Sequence, residues 1–228
     1  MGTKTSKVSV LERFKAARLY AITTPPSAGQ TYEQMVRSAC QGGVDILQFR
    51  DKALAQGRDR FELATRLRVI CSEYNVLFIV NDYLEVAMAC GADGVHFGQD
   101  DMAIDVARKI LHQNGIGNFL IGRSTHSLPQ ALKAEQEGSD YIAIGPVFST
   151  PTKPTYEPVG LELVRQVVAQ VQTPHVVIGG IDATKVDQVL MAGAKRIAVV
   201  RAVCGAPDIQ AAAKTMQALL THRIGVEA

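Results

Sequence analysis

Short apolar segments and longer helical segments alternate along the chain. The apolar segments are short enough for strands buried on both faces of a parallel sheet. They cover residues 19–24, 46–50, 77–80, 94–97, 120–122, 141–144, 175–178 and 196–200. A helical segment follows each of them, at residues 31–42, 59–74, 83–90, 103–113, 128–137, 161–171, 183–192 and 209–222. The pattern predicts eight strands, each followed by a helix.

An internal repeat supports this count independently. Gly43-Val-Asp-Ile, Gly91-Ala-Asp-Gly, Gly138-Ser-Asp-Tyr and Gly193-Ala-Lys-Arg each stand between a helix and the next strand, with spacings of 48, 47 and 55 residues (91−43, 138−91, 193−138). About fifty residues hold two strand–helix units, and the glycine is the expected left-handed stop of each helix. Eight such units close into a (β/α)8 TIM barrel, and a doubly wound open sheet is the alternative α/β fold.

Length and composition fit a single domain of this kind. The chain has 228 residues, of which 47% are hydrophobic, and we expect an N-terminal extension with a short helix at 1–18 and the barrel at 19–228. The net charge of +2, without a long basic run, gives no reason to expect nucleic acid or a membrane as a partner. The four cysteines lie far apart, and the polar start lacks the apolar core of a signal peptide, so we expect a cytoplasmic protein with reduced thiols.

The segment after the sixth strand is suited to holding an anion. Gly145 and Pro146 end the strand, and the chain continues into Thr150, Thr152 and Lys153 between prolines. Hydroxyl groups, backbone N–H groups and one mobile positive charge suit a phosphate. A proline-rich surface loop with a solvated lysine is the alternative.

Polar residues recur where the predicted strands end, which is the active face of a TIM barrel. They are Gln48, Arg50, Lys52, Asn81, Asp82, His96, Gln99, Asp100, Asp101, Arg123, Ser124, Thr125, His126, Gly179, Gly180 and Arg201. Asp82 and either Asp101 or Asp100 follow adjacent strands, and such oxygen ligands suit Mg²⁺ bound jointly with a pyrophosphate. The alternative makes Asp82 and Asp101 the N-caps of the helices that follow.

Two further features have a functional and an ordinary interpretation. Gly179 and Gly180 follow the seventh strand, where many barrels bind a phosphate through backbone N–H groups. His126 is an acid/base candidate or only the entry to a helix, whereas His96 and His175 lie in strands and are expected to be packed or hydrogen-bonded.

Six motifs resemble those of the thiamin phosphate synthase family. They are Gln48-Phe-Arg50-Asp-Lys52, Val80-Asn-Asp82, Asp93-Gly-Val-His-Phe-Gly-Gln-Asp-Asp101, Gly122-Arg-Ser-Thr-His126, Gly145-Pro-Val-Phe-Ser-Thr-Pro-Thr-Lys153 and Ile178-Gly-Gly-Ile181. The resemblance implies a (β/α)8 transferase of thiamine biosynthesis that joins hydroxymethylpyrimidine diphosphate to a (carboxy)thiazole phosphate and releases pyrophosphate with the help of Mg²⁺.

The resemblance also implies a role for individual residues. The pyrimidine diphosphate would be held by Gln48, Arg50, Lys52, Asn81, Ser124 and Lys153. Among these, Arg50, Ser124 and Lys153 would act in catalysis, and Asp82 and Asp101 would hold Mg²⁺. The thiazole phosphate would be held by Thr150, Thr152, Gly179, Val200 and Arg201, although Arg201 departs from the serine usual in the family.

Two other functions stay open at this point. A related thiazole tautomerase is a metal-free isomerase that uses a histidine corresponding to His126, but it usually lacks the Gln-Asp-Asp and Thr-Pro-Thr-Lys signatures found here. A non-catalytic barrel that senses the same ligands is the third possibility. The sequence does not indicate an oligomeric state.

Overall fold

The computed structural model describes residues 8–53, 56–151 and 157–222, and within them eight parallel strands form a closed barrel in chain order. The strands are β1 (Leu19–Ile22), β2 (Ile46–Phe49), β3 (Leu77–Asn81), β4 (Gly94–Phe97), β5 (Leu120–Thr125), β6 (Tyr141–Ile144), β7 (His175–Ile178) and β8 (Ile197–Val199). The helices are α1 (Val10–Ala16), α2 (Tyr32–Gln41), α3 (Gly57–Glu73), α4 (Leu84–Ala89), α5 (Ile104–Gln113), α6 (Leu128–Gln136), α7 (Gly160–Gln170), α8 (Val186–Met191) and α9 (Ile209–His222). The TIM barrel is confirmed, and the open sheet is excluded because β1 pairs with β8.

Two element boundaries differ from the sequence prediction by three residues. Strand β5 continues to Thr125 instead of ending at Gly122, because Ser124 and Thr125 stay paired with β6 and the Thr125 hydroxyl donates to the Ala143 carbonyl. Helix α8 begins at Val186 instead of residue 183. The Asp182 carboxylate accepts hydrogen bonds from the backbone and hydroxyl of Thr184 and forms a turn that delays the helix.

Strand alternation separates two apolar layers. Side chains such as Ile46, Leu77, Tyr141 and Ala198 fill the barrel interior, while the intervening residues pack against the surrounding helices. Helix α1 closes the base of the barrel, since the buried Phe14 ring lies 4.4 Å from the Tyr141 ring between centroids. The interior is therefore packed at the base and opens at the carboxyl ends of the strands.

The repeat found in the sequence marks the base of the barrel. Its four glycines all have the expected left-handed backbone, with φ values of 88°, 68°, 82° and 97° at Gly43, Gly91, Gly138 and Gly193. The first three repeats have an aspartate two residues later, and each carboxylate accepts the backbone N–H of a residue in a neighbouring strand. The repeat therefore links neighbouring strands through its aspartate side chains.

No helix in the ranges above is both long and apolar enough to cross a membrane.

Candidate active site at the barrel mouth

A cavity of about 380 Å³ opens at the carboxyl ends of the strands. Its lining includes most of the residues that the sequence predicted, namely Gln48, Arg50, Asn81, Ser124, His126, Thr150, Gly179, Val200 and Arg201. The side chains of Lys52, Asp82 and Asp101 are not part of this lining and lie beside it. Thr152 and Lys153 lie outside the described residues. The predicted set is thus largely brought together around one opening.

The carboxylates of Asp82 and Asp101 meet beside the cavity. Neither residue caps a helix, because the residues at the N-terminal boundaries of α4 and α5 are Tyr83 and Ala103. The alternative of ordinary helix caps is therefore wrong for both. Asp82 instead adopts a left-handed backbone with a φ of 66°, which is uncommon for a residue other than glycine but is adopted by aspartate more readily than by most others.

The electrostatic environment of Asp82 reflects this arrangement. Burial raises the pKa of its carboxyl group to about 6, and the neighbouring Asp101 carboxyl group adds to the increase. The positive charges of Lys52 and Arg50 act on the same carboxyl group in the opposite direction. Two carboxylates and two cations thus share one edge of the mouth.

These residues fit a magnesium ion held jointly with a substrate. Mg²⁺ is usually bound by one or two protein carboxylates, several waters and phosphate oxygens. One Asp101 oxygen accepts the Gly98 N–H at 2.5 Å, and a Cβ atom on Gly98 would crowd that oxygen, so glycine leaves room for the carboxylate. Within the described ranges there is no cluster of three or more histidine, cysteine or acidic residues suited to a metal. The protein would supply two carboxylates, and a diphosphate would supply further oxygens.

Arg123 holds the backbone around Asp101 in place, a role that the sequence analysis did not predict. Although its position suggested a charge at the mouth, its side chain points outward from β5 and lies buried beneath the loop after β4. The guanidinium donates to the carbonyls of Gly98 and Met102, the second at 2.8 Å. These two bonds fix the backbone on both sides of Asp101.

A row of polar side chains forms the floor of the cavity. Gln48 and His96 are buried, and Ser124 is partly exposed above them. The His96 ring nitrogens bond to the hydroxyls of Tyr141 at 3.1 Å and Ser124 at 2.9 Å, so the expectation of a hydrogen-bonded histidine is confirmed. Tyr20, which the sequence did not single out, accepts a hydrogen bond from Gln48 at 2.8 Å.

The opposite side of the mouth is built from backbone and loops. Gly179 and Gly180 have φ values of 108° and 64°, and a side chain on Gly180 would collide with Ser149 and Phe148 in the loop after β6. Lys185, also missed from the sequence, donates to the Gly180 carbonyl at 2.9 Å and is a further cation in the cavity lining. The glycine turn is therefore held tightly between two loops.

Arg201 and His126 complete the lining. Ala198 faces the barrel interior while Ile197 and Val199 face the helices, but β8 ends at Val199, so strand alternation no longer dictates the direction of Arg201. Arg201 is exposed and borders the cavity. The Nδ1 atom of His126 lies 2.5 Å from the Gly145 carbonyl oxygen, which can only accept, so Nδ1 carries a proton.

The fold and the site define a class: a (β/α)8 barrel whose mouth places paired carboxylates and cations opposite a glycine turn, an arrangement suited to small phosphorylated molecules. A family model described as thiamine monophosphate synthase matches residues 19–203. The chain belongs to this family.

Individual relatives agree with the family assignment. A thiamine-phosphate synthase of Chloroflexus aurantiacus is 42% identical over 206 residues, covering 90% of this chain and 93% of that protein. One of Gloeobacter violaceus is 43% identical over 196 residues, covering 86% of this chain and 55% of that protein, so the chain spans about half the length of this curated relative. A solved thiamine phosphate pyrophosphorylase from Pyrococcus furiosus has a TM-score of 0.81 at 38% identity, covering 91% of this chain and 96% of that one.

Proposed function

We propose that this chain is a thiamin phosphate synthase that joins hydroxymethylpyrimidine diphosphate to a (carboxy)thiazole phosphate and releases pyrophosphate. The observation that carries the proposal is the meeting of Asp82 and Asp101 beside Arg50 and Lys52 at the mouth of a barrel of this family. The release of pyrophosphate requires carboxylates that hold a metal and cations that stabilise the diphosphate.

The two substrates are assigned to the two sides of the mouth. Gln48, Arg50, Lys52, Asn81, Ser124 and Lys153 hold the pyrimidine diphosphate, while Thr150, Thr152, Gly179, Val200 and Arg201 hold the thiazole phosphate. The lining of one cavity by residues from both groups supports this division. The proposal requires the thiazole nitrogen to lie next to the carbon that loses its diphosphate.

The reaction needs no nucleophilic side chain. The bond between the pyrimidine methylene carbon and the diphosphate oxygen breaks, the pyrimidine becomes a carbocation, and the thiazole nitrogen attacks it. When the thiazole carries the carboxylate, that group leaves as CO₂. Arg50, Ser124 and Lys153 stabilise the charge that grows on the departing pyrophosphate. Mg²⁺ held by Asp82 and Asp101 would supply additional positive charge to the same oxygens.

Product formation from the two purified substrates tests this function. A synthase forms thiamin phosphate and pyrophosphate in equal amounts and requires Mg²⁺. Isomerisation of the carboxythiazole phosphate without coupling would identify a tautomerase. Binding of either ligand without any turnover would identify a sensor, and both outcomes would contradict the proposal.

The His126→Ala variant separates the synthase from the tautomerase on one protein. We expect most of the coupling activity to survive, because the proposed route uses no general base at this position. Loss of coupling in a variant that still binds both substrates would show that His126 takes part in the chemistry.

A further inference from the structure

The floor of the cavity is a continuous chain of hydrogen bonds from one side of the barrel to the other. It runs from the Gln48 amide to Tyr20 (2.8 Å), then to Tyr141 (3.1 Å), then to His96 Nδ1 (3.1 Å), and from His96 Nε2 to Ser124 (2.9 Å). Strands β1, β2, β4, β5 and β6 each contribute one member. Both ends of the chain, Gln48 and Ser124, also border the cavity.

The two tyrosine hydroxyls and a neutral His96 ring, which form the middle of this chain, each have only one proton to place along it. A tyrosine hydroxyl that donates in one direction must accept from the other, and a neutral imidazole has one N–H and one bare nitrogen. The hydrogen bonds run in a common direction when both tyrosine protons are used within the chain. A tyrosine oxygen that accepted from both neighbours would leave its own buried O–H unbonded in the chain, which costs the desolvation energy of that group. Two arrangements then satisfy all four bonds with a neutral His96.

In the first arrangement, the Gln48 amino group donates to Tyr20, and the bonds run towards Ser124. His96 then accepts from Tyr141 at Nδ1 and donates from Nε2 to Ser124. This leaves the Gln48 carbonyl oxygen facing the ligand as an acceptor, while the Ser124 hydroxyl donates to the ligand. The second arrangement reverses every bond, including the Gln48 amide, and exchanges the two roles at the cavity.

We propose that Tyr20, Tyr141 and His96 act as positioning residues that couple the hydrogen-bonding character of Gln48 to that of Ser124. This inference rests on the proposed function and deepens it. A ligand that offers a donor to Gln48 must offer an acceptor to Ser124. The chain therefore fits an aminopyrimidine, which presents an amino group to Gln48 while an oxygen or ring nitrogen of the same molecule accepts from Ser124, and it disfavours a ligand that offers an acceptor to both residues.

The residues around this chain of hydrogen bonds keep both tyrosines protonated and in place. Both tyrosines are fully buried, and burial raises the pKa of Tyr20 and of Tyr141 well above the ordinary value, so each keeps the proton that it must donate. Gly122 in β5 lies directly against the Tyr141 ring, and any side chain at position 122 would displace it. Phe14 supports the other face of the ring.

Ligand discrimination tests the coupling. The 4-oxo analogue of the pyrimidine diphosphate presents an acceptor where the amino group was, so wild-type protein has to reverse the whole chain and then mismatches Ser124. We expect calorimetry to give at least about a hundredfold preference for the amino ligand. In Tyr141→Phe and in Tyr20→Phe, the Gln48 amide turns independently of Ser124, and the preference should fall about tenfold.

Three controls separate coupling from a general structural effect. Tyr74→Phe removes a tyrosine hydroxyl elsewhere in the protein, bonded to Gln41, and should keep the wild-type preference. Thermal unfolding identifies a variant that does not fold, and the two tyrosine variants break different links of the same chain. Equal losses of affinity for both ligands, with the preference unchanged, would overturn the proposal.

The tautomer of His96 gives a readout that does not depend on any ligand assay. Nitrogen NMR of histidine-labelled protein, with the His96 signals assigned by their loss in His96→Asn, should show a proton on Nε2 and none on Nδ1 with the amino ligand bound. A proton on Nδ1, or on both nitrogens, would overturn the direction of the chain. If wild-type protein binds neither pyrimidine diphosphate, the proposed function fails, whereas a single proton on His96, at either ring nitrogen, still supports the chain of hydrogen bonds in that protein.

Discussion

The base and the mouth of this barrel use the same residue type for opposite purposes. At the base, the carboxylates of Asp45, Asp93 and Asp140 accept backbone N–H groups of neighbouring strands at 2.9, 2.8 and 2.6 Å. At the mouth, Asp82 and Asp101 face each other, and the pKa of Asp82 is raised to about 6 by burial and then by Asp101. The base carboxylates hold the fold together, and the mouth carboxylates are arranged for a cation.

The difference shows how to separate structural from functional carboxylates in a repeated fold. A carboxylate whose oxygens are taken by backbone donors contributes stability and has little capacity left for a ligand. Two acidic groups placed close together beside a cavity lower the stability of the folded protein unless a cation binds next to them. Substitutions in the two regions should therefore affect different measurements.

The largest expected effect is on catalysis at the mouth. Asp101→Ala should lower the coupling rate about 10³-fold, because the proposed metal contributes several kcal/mol of charge stabilisation. Its unfolding midpoint should stay close to that of the wild type. Asp100→Ala is the matched control, since Asp100 is exposed and adjacent to Asp101 but is not among the groups that act on the Asp82 carboxyl group. Full activity of Asp101→Ala at ordinary Mg²⁺ concentrations would contradict the assignment of Asp101 as a magnesium ligand.

At the base we expect the opposite result, a loss of stability without a loss of catalysis. Asp93→Ala should lower the free energy of unfolding by about 3 kcal/mol, because the Phe78 N–H loses its buried acceptor and Arg68 loses one of its partners. The protein that remains folded should keep its coupling activity. Asp105→Ala, which removes only an exposed pair with Lys109, should change the stability by less than about 0.5 kcal/mol. Chemical denaturation measures the free energy of unfolding of both variants. An Asp93→Ala protein as stable as the wild type would contradict the structural role assigned to the carboxylates at the base.

Two arginines extend the comparison to positive charges. Arg196 at the base donates to the carbonyls of Phe14, Lys15 and His175, whereas Arg201 lies exposed at the mouth. Arg201→Ser should weaken thiazole phosphate binding by about 1.5 to 3 kcal/mol, the range for hydrogen bonds to charged groups, and leave pyrimidine diphosphate binding unchanged. Calorimetry at fixed salt concentration measures both, and unchanged thiazole phosphate affinity would leave Arg201 without a ligand role.

The smallest expected effect is a pH dependence that originates at the base. Burial, and then the charge of Arg196, lowers the pKa of His175 to about 4. Between about pH 6.5 and pH 4 the unfolded chain takes up a proton that the folded protein excludes, so stability is lost as the pH falls. His175→Leu should reduce this loss by on the order of 2 kcal/mol in denaturation curves at pH 7 and pH 4. A variant with the same pH dependence as the wild type would contradict this cause.

The barrel itself was predictable because its signal is local. Apolar segments and left-handed glycines recur along the chain, and most element boundaries lie within two residues of the predicted ones. The meeting of Asp82 and Asp101 also followed, since adjacent parallel strands end side by side. Tyr20 and Tyr141 did not stand out, because only the strand register shows that aromatic residues from β1 and β6 share one floor with His96.

Arg123 and Lys185 were missed for a different physical reason. Both are charged residues near strand ends, and the sequence does not show that Arg123 turns outward beneath a loop while Lys185 reaches back to the Gly180 carbonyl. Long side chains reach several ångströms from their Cα atoms, so position along the chain does not fix where the charge lies.

The Phe14 ring under Tyr141 gives helix α1 an influence on the floor of the cavity. Phe14 is fully buried and does not line the cavity, so it acts on the floor through the Tyr141 ring against which it packs. A segment outside the eight strand–helix units thus takes part in holding the polar floor, and a smaller residue at position 14 is expected to leave the Tyr141 hydroxyl less firmly placed between Tyr20 and His96.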